Sequence, residues 1–156
     1  MPDWDDIFKE KGKVFIEPHP EMERIAQLFQ EKGVKRVLDL GCGTGRHLLF
    51  FSKKGFEIYG MDASPKALEI AEEWLSKENQ KVELHLQRME QKLPYDDNYF
   101  DALISIQVIH HNLMKDITFT VSEIKRILKT EGLIFITVPK LETCSKIEEW
   151  DLKEIE

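Results

Sequence analysis

The stretch Val37-Leu38-Asp39-Leu40-Gly41-Cys42-Gly43-Thr44-Gly45-Arg46-His47 (VLDLGCGTGRH) decides the reading of this 156-residue chain. An apolar run interrupted by one carboxylate stops at a glycine. Two further glycines follow at alternate positions, and a basic pair comes next. Arg36 to Leu40 predicts a short strand, and Arg46 to Lys54, stopped by Gly55, predicts a short helix. Gly41, Gly43 and Gly45 fall at the junction, where glycine permits positive φ and lets another molecule approach the main chain closely. The N-terminus of the helix that follows supplies N–H donors that favour an anionic group.

The next strand, Phe56 to Met61, ends at Asp62. Neighbouring parallel strands end side by side, so Asp62 and the glycine loop share one crevice, where a carboxylate can accept both hydroxyls of a ribose. Spacing then separates the nucleoside ligands. The dinucleotide fingerprint G-x-G-x-x-G uses its third glycine for helix packing under a pyrophosphate. Here the third glycine comes one residue early, and Arg46 fills its place. Asp39, two residues before the first glycine, is a poor neighbour for a pyrophosphate and a good one for an ammonium or sulfonium cation. The loop asks for a zwitterion attached to an adenosine. Plainer readings stay open, since Asp39 can cap the helix that follows and Asp62 can form an Asp-Ala-Ser turn ahead of Pro65.

Outward from this junction the chain alternates helix and strand. Met22, Ile25, Ala26 and Phe29 give residues 21–32 a helical apolar stripe, with Pro20 at its start and Gly33 at its end. Ser64-Pro65 is an N-cap followed by proline, opening a helix with Leu68, Ala71, Trp74 and Leu75 on one face. Val82, Leu84 and Leu86 alternate with polar residues as in a strand with one polar face. Phe100 to Ile106 is apolar enough to be covered on both sides. A helix from about Asp116 to Lys129 is expected to bury Ile117, Val121, Ile124 and Leu128, and Gly132 then leads into a strand from Leu133 to Val138. The pattern predicts an α/β domain with a doubly wound, mainly parallel sheet between helical layers.

Composition narrows the setting. A net charge of −7 lacks the basic face that duplex nucleic acid requires, and no apolar run approaches the ~20 residues needed to cross a bilayer. The N-terminus has no secretory h-region. Cys42 and Cys144 match no metal or redox spacing, and the histidines show no ligand spacing, so no metal site is expected. These features suit a cytoplasmic protein.

VLDLGCGTGRH followed by GMDAS resembles motifs I and II of the class I S-adenosylmethionine-dependent methyltransferases. LPYDDNYFDALIS and EIKRILKTEGLIFITV resemble the approach to the fourth strand and the helix, turn and fifth strand of the small-molecule-type members. The similarity runs from Met22 to Val138. It implies a Rossmann-like sheet of order 3-2-1-4-5, S-adenosyl-L-methionine as cofactor with S-adenosyl-L-homocysteine as product, and methyl transfer to an acceptor that the resemblance leaves unnamed. It places Asp39, Gly41, Cys42, Gly43 and Gly45 around the methionine part, Asp62 on the ribose and Ala63 against the adenine. Ile106 and Gln107 fall on the sulfonium side. Where the family often has an acid for the adenine amino group, this chain has Arg88, which cannot accept a hydrogen bond. Either Glu90 substitutes or Met89 contributes main-chain and apolar contact.

His110 and His111 follow the fourth strand and are candidates for the acceptor side, as general bases or as residues split between core and solvent. Trp4, Phe8 and Phe15 can form a lid over the cofactor or pack onto the sheet's helices. The N-P-P-Y-type tetrapeptide of many members acting on amide or base nitrogens is absent, the sequence reading SIQVIHHN. This leans toward a small-molecule acceptor. A cofactor-binding module without turnover, and more remotely a nicotinamide-dependent oxidoreductase, are the alternatives. The chain reads as one domain, 1–156, with a lid or arm over 1–20 and a short tail over 139–156. That tail has room for a helix at Ser145 to Lys153 but not for the family's last antiparallel strands. The fifth strand is then an exposed edge, which a second copy of the chain could cover.

Overall fold

The computed structural model describes residues 3–140. Five strands form one parallel sheet of order β3-β2-β1-β4-β5, with β1 at Arg36–Leu40, β2 at Glu57–Asp62, β3 at Glu83–Leu86, β4 at Phe100–Ile106 and β5 at Leu128–Thr137. The helices are α1 (Trp4–Lys11), α2 (Met22–Glu31), α3 (Arg46–Lys53), α4 (Pro65–Lys77) and α5 (Met114–Ile127). The order reverses between β1 and β4, and their carboxyl ends therefore frame the crevice in which open α/β sheets bind ligands.

Each face of the sheet has its own core. On one, Val37, Ala102 and Ile104 meet Met22 and Phe29 of α2, Leu48 and Phe51 of α3, and Leu68 and Leu75 of α4. On the other, Leu38, Leu40, Met61 and Leu103 meet Ile124 and Ile127 of α5 and the connector residues Met89, Leu93 and Tyr95. Alternation along β1 sends Asp39 to the α3 side with Val37, beneath the glycine loop. In register it lies opposite Gly60 of β2 and Ile104 of β4.

Four local expectations need correction. Val121 is 52% exposed, because α5 turns a partly polar face inward, burying Thr120, Glu123, Ile124 and Ile127. Thr120 Oγ1 donates to the Met89 carbonyl at 3.0 Å, Glu123 accepts from the Leu93 N–H at 2.8 Å, and Arg126 donates to the Tyr95 carbonyl at 2.7 Å. These bonds hold the 88–97 connector against the sheet. The strand expected from Leu133 begins at Leu128, since Leu128 already pairs with Phe100 before a bulge lets Leu133 pair with Ala102. Leu86, expected on the apolar face of β3, is 58% exposed on an edge strand. The N-terminal arm contains a helix, α1, docked against the start of α4. Among the described residues β5 is the other edge, with Ile134, and Val138 just past its end, more than half exposed. The helix expected at Ser145 to Lys153, and Cys144, lie outside the described residues.

Candidate functional site

A cleft of about 510 Å³ opens at the carboxyl ends of β1, β2 and β4, within the size range of small-molecule and cofactor sites. Its floor is the glycine loop. Gly41, at φ 80°, leads the chain out of β1, and a Cβ there would come within 2.5 Å of the Val108 side chain. Gly45, at φ 95°, is the N-cap of α3 and lies 3.1 Å from the Ala71 Cβ, measured from where its own Cβ would be. Its work is to seat α3 against α4, and it does not line the cleft.

Four of the loop's N–H groups are already bonded within the protein. Gly41 and Cys42 both donate to the Met61 carbonyl, at 2.8 and 3.0 Å. Gly43 donates to Asp62 Oδ2 at 2.8 Å, and Gly45 to the Cys42 carbonyl at 3.2 Å. Gly41, Cys42 and Gly43 therefore offer a ligand no free N–H. The donors that the sequence suggested for an anion belong to the start of α3, and no side chain caps that end.

Two carboxylates set the electrostatics. Asp62 uses Oδ1 to accept the Ser64 N–H at 2.9 Å and Oδ2 to accept Gly43. The turn-forming role open in the sequence is thus real, yet each oxygen keeps a lone pair for a hydroxyl donor. Burial raises the Asp62 pKa, opposed by the N–H groups of Ser64, Gly43 and Ala63. Asp39 is 1% exposed, and its Oδ2 has no partner among the described residues. It therefore does not act as a conventional side-chain cap of α3, whose N-cap is Gly45. Burial first, and the Asp62 charge second, push Asp39 up to about 8. A buried, unpartnered carboxylate favours a cation brought close to it.

The roof comes from residues 3–20. Asp5 of α1 accepts from Ser64 Oγ at 2.6 Å and from the Lys66 N–H at 2.9 Å, adding a second cap to α4 beyond Ser64 itself. These bonds and the Lys9 ammonium hold Asp5 down at about 2. Trp4 and Phe8 thereby overhang the loop. The Trp4 ring meets the His111 ring edge-on at 5.7 Å, and Phe8 lies within 3.8 Å of where a Gly43 Cβ would be. Further along, Arg46 Nη1 donates to the Glu17 carbonyl at 2.9 Å, and His47 Nε2 accepts the His19 N–H at 3.0 Å. Burial drives the His47 pKa down to about 3, so this ring is neutral and able to accept.

Among the residues singled out in the sequence, Gly41, Cys42, Gly43, Asp62, Ala63, Met89, Ile106, Gln107 and His111 line the cleft. Asp39 lies beneath it, and Gly45 and His110 lie outside the lining. His110 instead carries a buried Nδ1 with no partner among the described residues. Arg88 and Glu90 form an ion pair at the far end, beside Met89. Asp5, Arg46, Ser64 and Val108 were not singled out as site residues. A capping pattern at α1 was the available signal for Asp5, and none marked Val108. No group of three or more metal-ligating side chains occurs among the described residues, and no helix there is long and apolar enough to cross a membrane.

A 3-2-1-4-5 parallel sheet with a bare glycine loop after β1 and an acid at the end of β2 defines the Rossmann-like fold of class I S-adenosylmethionine-dependent methyltransferases. A family model described as a methyltransferase domain matches residues 38–136, and the chain belongs to that family. It is 30% identical over 101 residues to the ubiquinone biosynthesis O-methyltransferase of Pelagibacter ubique, covering 65% of this chain and 40% of that protein. It is 34% identical over 103 residues to the 18S rRNA (guanine-N(7))-methyltransferase bud23 of Schizosaccharomyces pombe, covering 65% and 37%. A solved SAM-dependent methyltransferase from Aquifex aeolicus superposes with a TM-score of 0.67 at 25% identity, over 94% of this chain and 78% of that one. The chain spans less than half the length of these curated relatives.

S-adenosylmethionine is the cofactor that this family and fold identify, and the residues present fit it. The unpartnered Asp39 suits a cation, Asp62 retains acceptor capacity for hydroxyls, and the missing Cβ of Gly43 leaves contact room beneath Phe8.

Proposed function

We propose that the chain carries out S-adenosylmethionine-dependent methyl transfer to a small-molecule acceptor. The observation that carries this reading is the buried, unpartnered Asp39 under a loop whose Gly41, Cys42 and Gly43 N–H groups are bonded to β2, with Asp62 beside it. That combination favours a cationic amino acid joined to a nucleoside over a diphosphate. When bound, the cofactor supplies an electrophilic methyl group on a sulfonium that is already a good leaving group.

The chain's own residues have positioning to do. Asp62 holds the ribose hydroxyls, Ala63 and Met89 border the adenine, and Glu90, itself held by Arg88, is the acceptor for the adenine amino group. Gly41, Cys42 and Gly43 border the amino-acid part, with Asp39 beneath. Ile106 and Gln107 close the sulfonium side, where Gln107 adopts φ 58° and donates its N–H to the Thr137 carbonyl at 3.0 Å. Trp4, Phe8 and Phe15 exclude water from the acceptor compartment. Alignment of this kind lowers a displacement barrier by ~7–11 kcal/mol in favourable cases, so no dedicated base is required. For a hydroxyl acceptor, His111 is the group placed to take the proton.

A small molecule suits the net charge of −7 and the aromatic roof, and one relative is named for an O-methylation in ubiquinone biosynthesis. Calorimetric titration with S-adenosylhomocysteine tests the reading. Absence of both heat and thermal shift at millimolar ligand overturns it.

A further inference from the structure

Resting on that reading, we propose that Thr120 of α5 is a positioning residue for the adenine end: its hydroxyl fixes the peptide between Met89 and Glu90, and with it the chain's preference for a 6-aminopurine. Thr120 is fully buried on the inward face of α5. A hydroxyl taken out of water costs free energy unless it is hydrogen-bonded. Thr120 Oγ1 has two carbonyls within reach, Asp116 at 2.8 Å and Met89 at 3.0 Å, and one proton to give. The Asp116 carbonyl already accepts the Thr120 N–H as part of the helix. The Met89 carbonyl has no other donor among the described residues. The proton is therefore worth most on Met89.

No other bond does this for that stretch. The connector from β3 to β4 is tied at Gln87, whose N–H donates to the Asp62 carbonyl at 3.0 Å. It is tied again at Leu93, whose N–H donates to Glu123 at 2.8 Å and whose carbonyl accepts from Arg126 at 3.0 Å. Between these two points, among the described residues, Thr120 makes the one hydrogen bond to chain outside the connector. The Arg88 and Glu90 side chains pair with each other and travel with the segment.

The lever is the planarity of the peptide. The Met89 carbonyl and the Glu90 N–H belong to one trans unit and point in opposite directions. A carbonyl held on α5 turns the Glu90 N–H away from α5, and no protein acceptor takes it among the described residues. Met89 and Glu90 both line the cleft. Glu90 thus brings a main-chain donor and a carboxylate acceptor to the same end of it. A 6-aminopurine presents the reverse pair, a ring nitrogen that accepts beside an amino group that donates. A 6-oxopurine sets a ring N–H beside an oxygen and meets like with like. Releasing the Met89 carbonyl lets the peptide plane turn, and the match is lost with it.

The test compares two ligands on the full chain by calorimetry: S-adenosylhomocysteine and its 6-oxo counterpart, S-inosylhomocysteine. The unsubstituted chain is expected to favour S-adenosylhomocysteine about tenfold or more, the scale of one hydrogen bond to a charged group. Thr120→Val, which keeps the shape and removes the hydroxyl, should narrow that preference at least threefold, and Thr120→Ser, which restores the hydroxyl, should keep it. Thr120→Ala makes the same loss without setting a methyl against the Met89 carbonyl, so a folding defect in the valine variant leaves the test in force. A merely structural role weakens both ligands alike and leaves their ratio in place. An unchanged ratio in the variants without the hydroxyl, or no preference in the unsubstituted chain, overturns the assignment while S-adenosylhomocysteine binding keeps the methyltransferase reading standing. Failure of the unsubstituted chain to bind either nucleoside removes both.

Discussion

Asp62 Oδ2 accepts the main-chain N–H of Gly43 at 2.8 Å, so one carboxylate both shapes the glycine loop and faces the cleft that the loop floors. Replacement of Asp62 by alanine removes the loop's tether together with the acceptor proposed for the ribose. S-adenosylhomocysteine binding should weaken by ~1.5–3 kcal/mol, the scale of hydrogen bonds to charged groups. Equal affinity of Asp62→Ala and the unsubstituted chain in calorimetry would count against the role.

Asp39 makes the unliganded protein sensitive to alkali. Its folded pKa, about 8, lies above the 3.8 ordinary for an aspartate. The native state therefore keeps a proton that the unfolded chain releases, and stability falls as pH rises from 3.8 toward 8, by up to ~1.4 kcal/mol per pH unit. Denaturant unfolding of Asp39→Asn between pH 5 and 8 should show a flatter profile than the unsubstituted chain. The same variant should bind S-adenosylhomocysteine more weakly. Parallel pH profiles would refute this.

His47 acts in the opposite sense. Its pKa, down to about 3 from 6.5, means that the unfolded chain takes up a proton which the native state refuses. The stability it contributes is complete above pH 6.5 and is lost as pH falls toward 3. His47→Gln should lose less stability than the unsubstituted chain between pH 7 and 4.5, and a matching loss in both would exclude His47 as the source.

Asp5→Ala should loosen α1, since Asp5 holds the helix to Ser64 and Lys66. Faster amide exchange over residues 4–11 and altered Trp4 fluorescence are the expected signs, with global unfolding little changed. An unaltered α1 would show that the Trp4 and Phe8 contacts suffice without the carboxylate.

The parallel sheet was legible because the decisive residues are local, whereas its strand order came from the resemblance to the family. β1, the glycines, β2 and Asp62 follow one another within thirty residues, and each strand carries its own apolar signal. The inward face of α5 was not legible. Its polar residues Thr120 and Glu123 are buried because they bond the 88–97 connector, a partner that periodicity cannot foresee. α1 was missed for a different reason. Its capping signals are present in Asp3, the acidic first turn, the basic last turn and Gly12, but eight residues give too little periodicity to be heard. Within the cleft, the glycines and Asp62 could be named from spacing alone. Asp5 and Arg46 could not, because their contacts reach across 59 and 29 residues of chain.

Because Met61 and Asp62 hold the main chain of residues 41–43, the receiving surface is pre-organised before anything enters. Little ordering entropy remains to be lost there on association. A departing ligand has to pass the cover formed by residues 3–20, whose ties run to Ser64, Lys66, Arg46 and His47. Weakening those ties should therefore speed release more than changes in the glycines beneath.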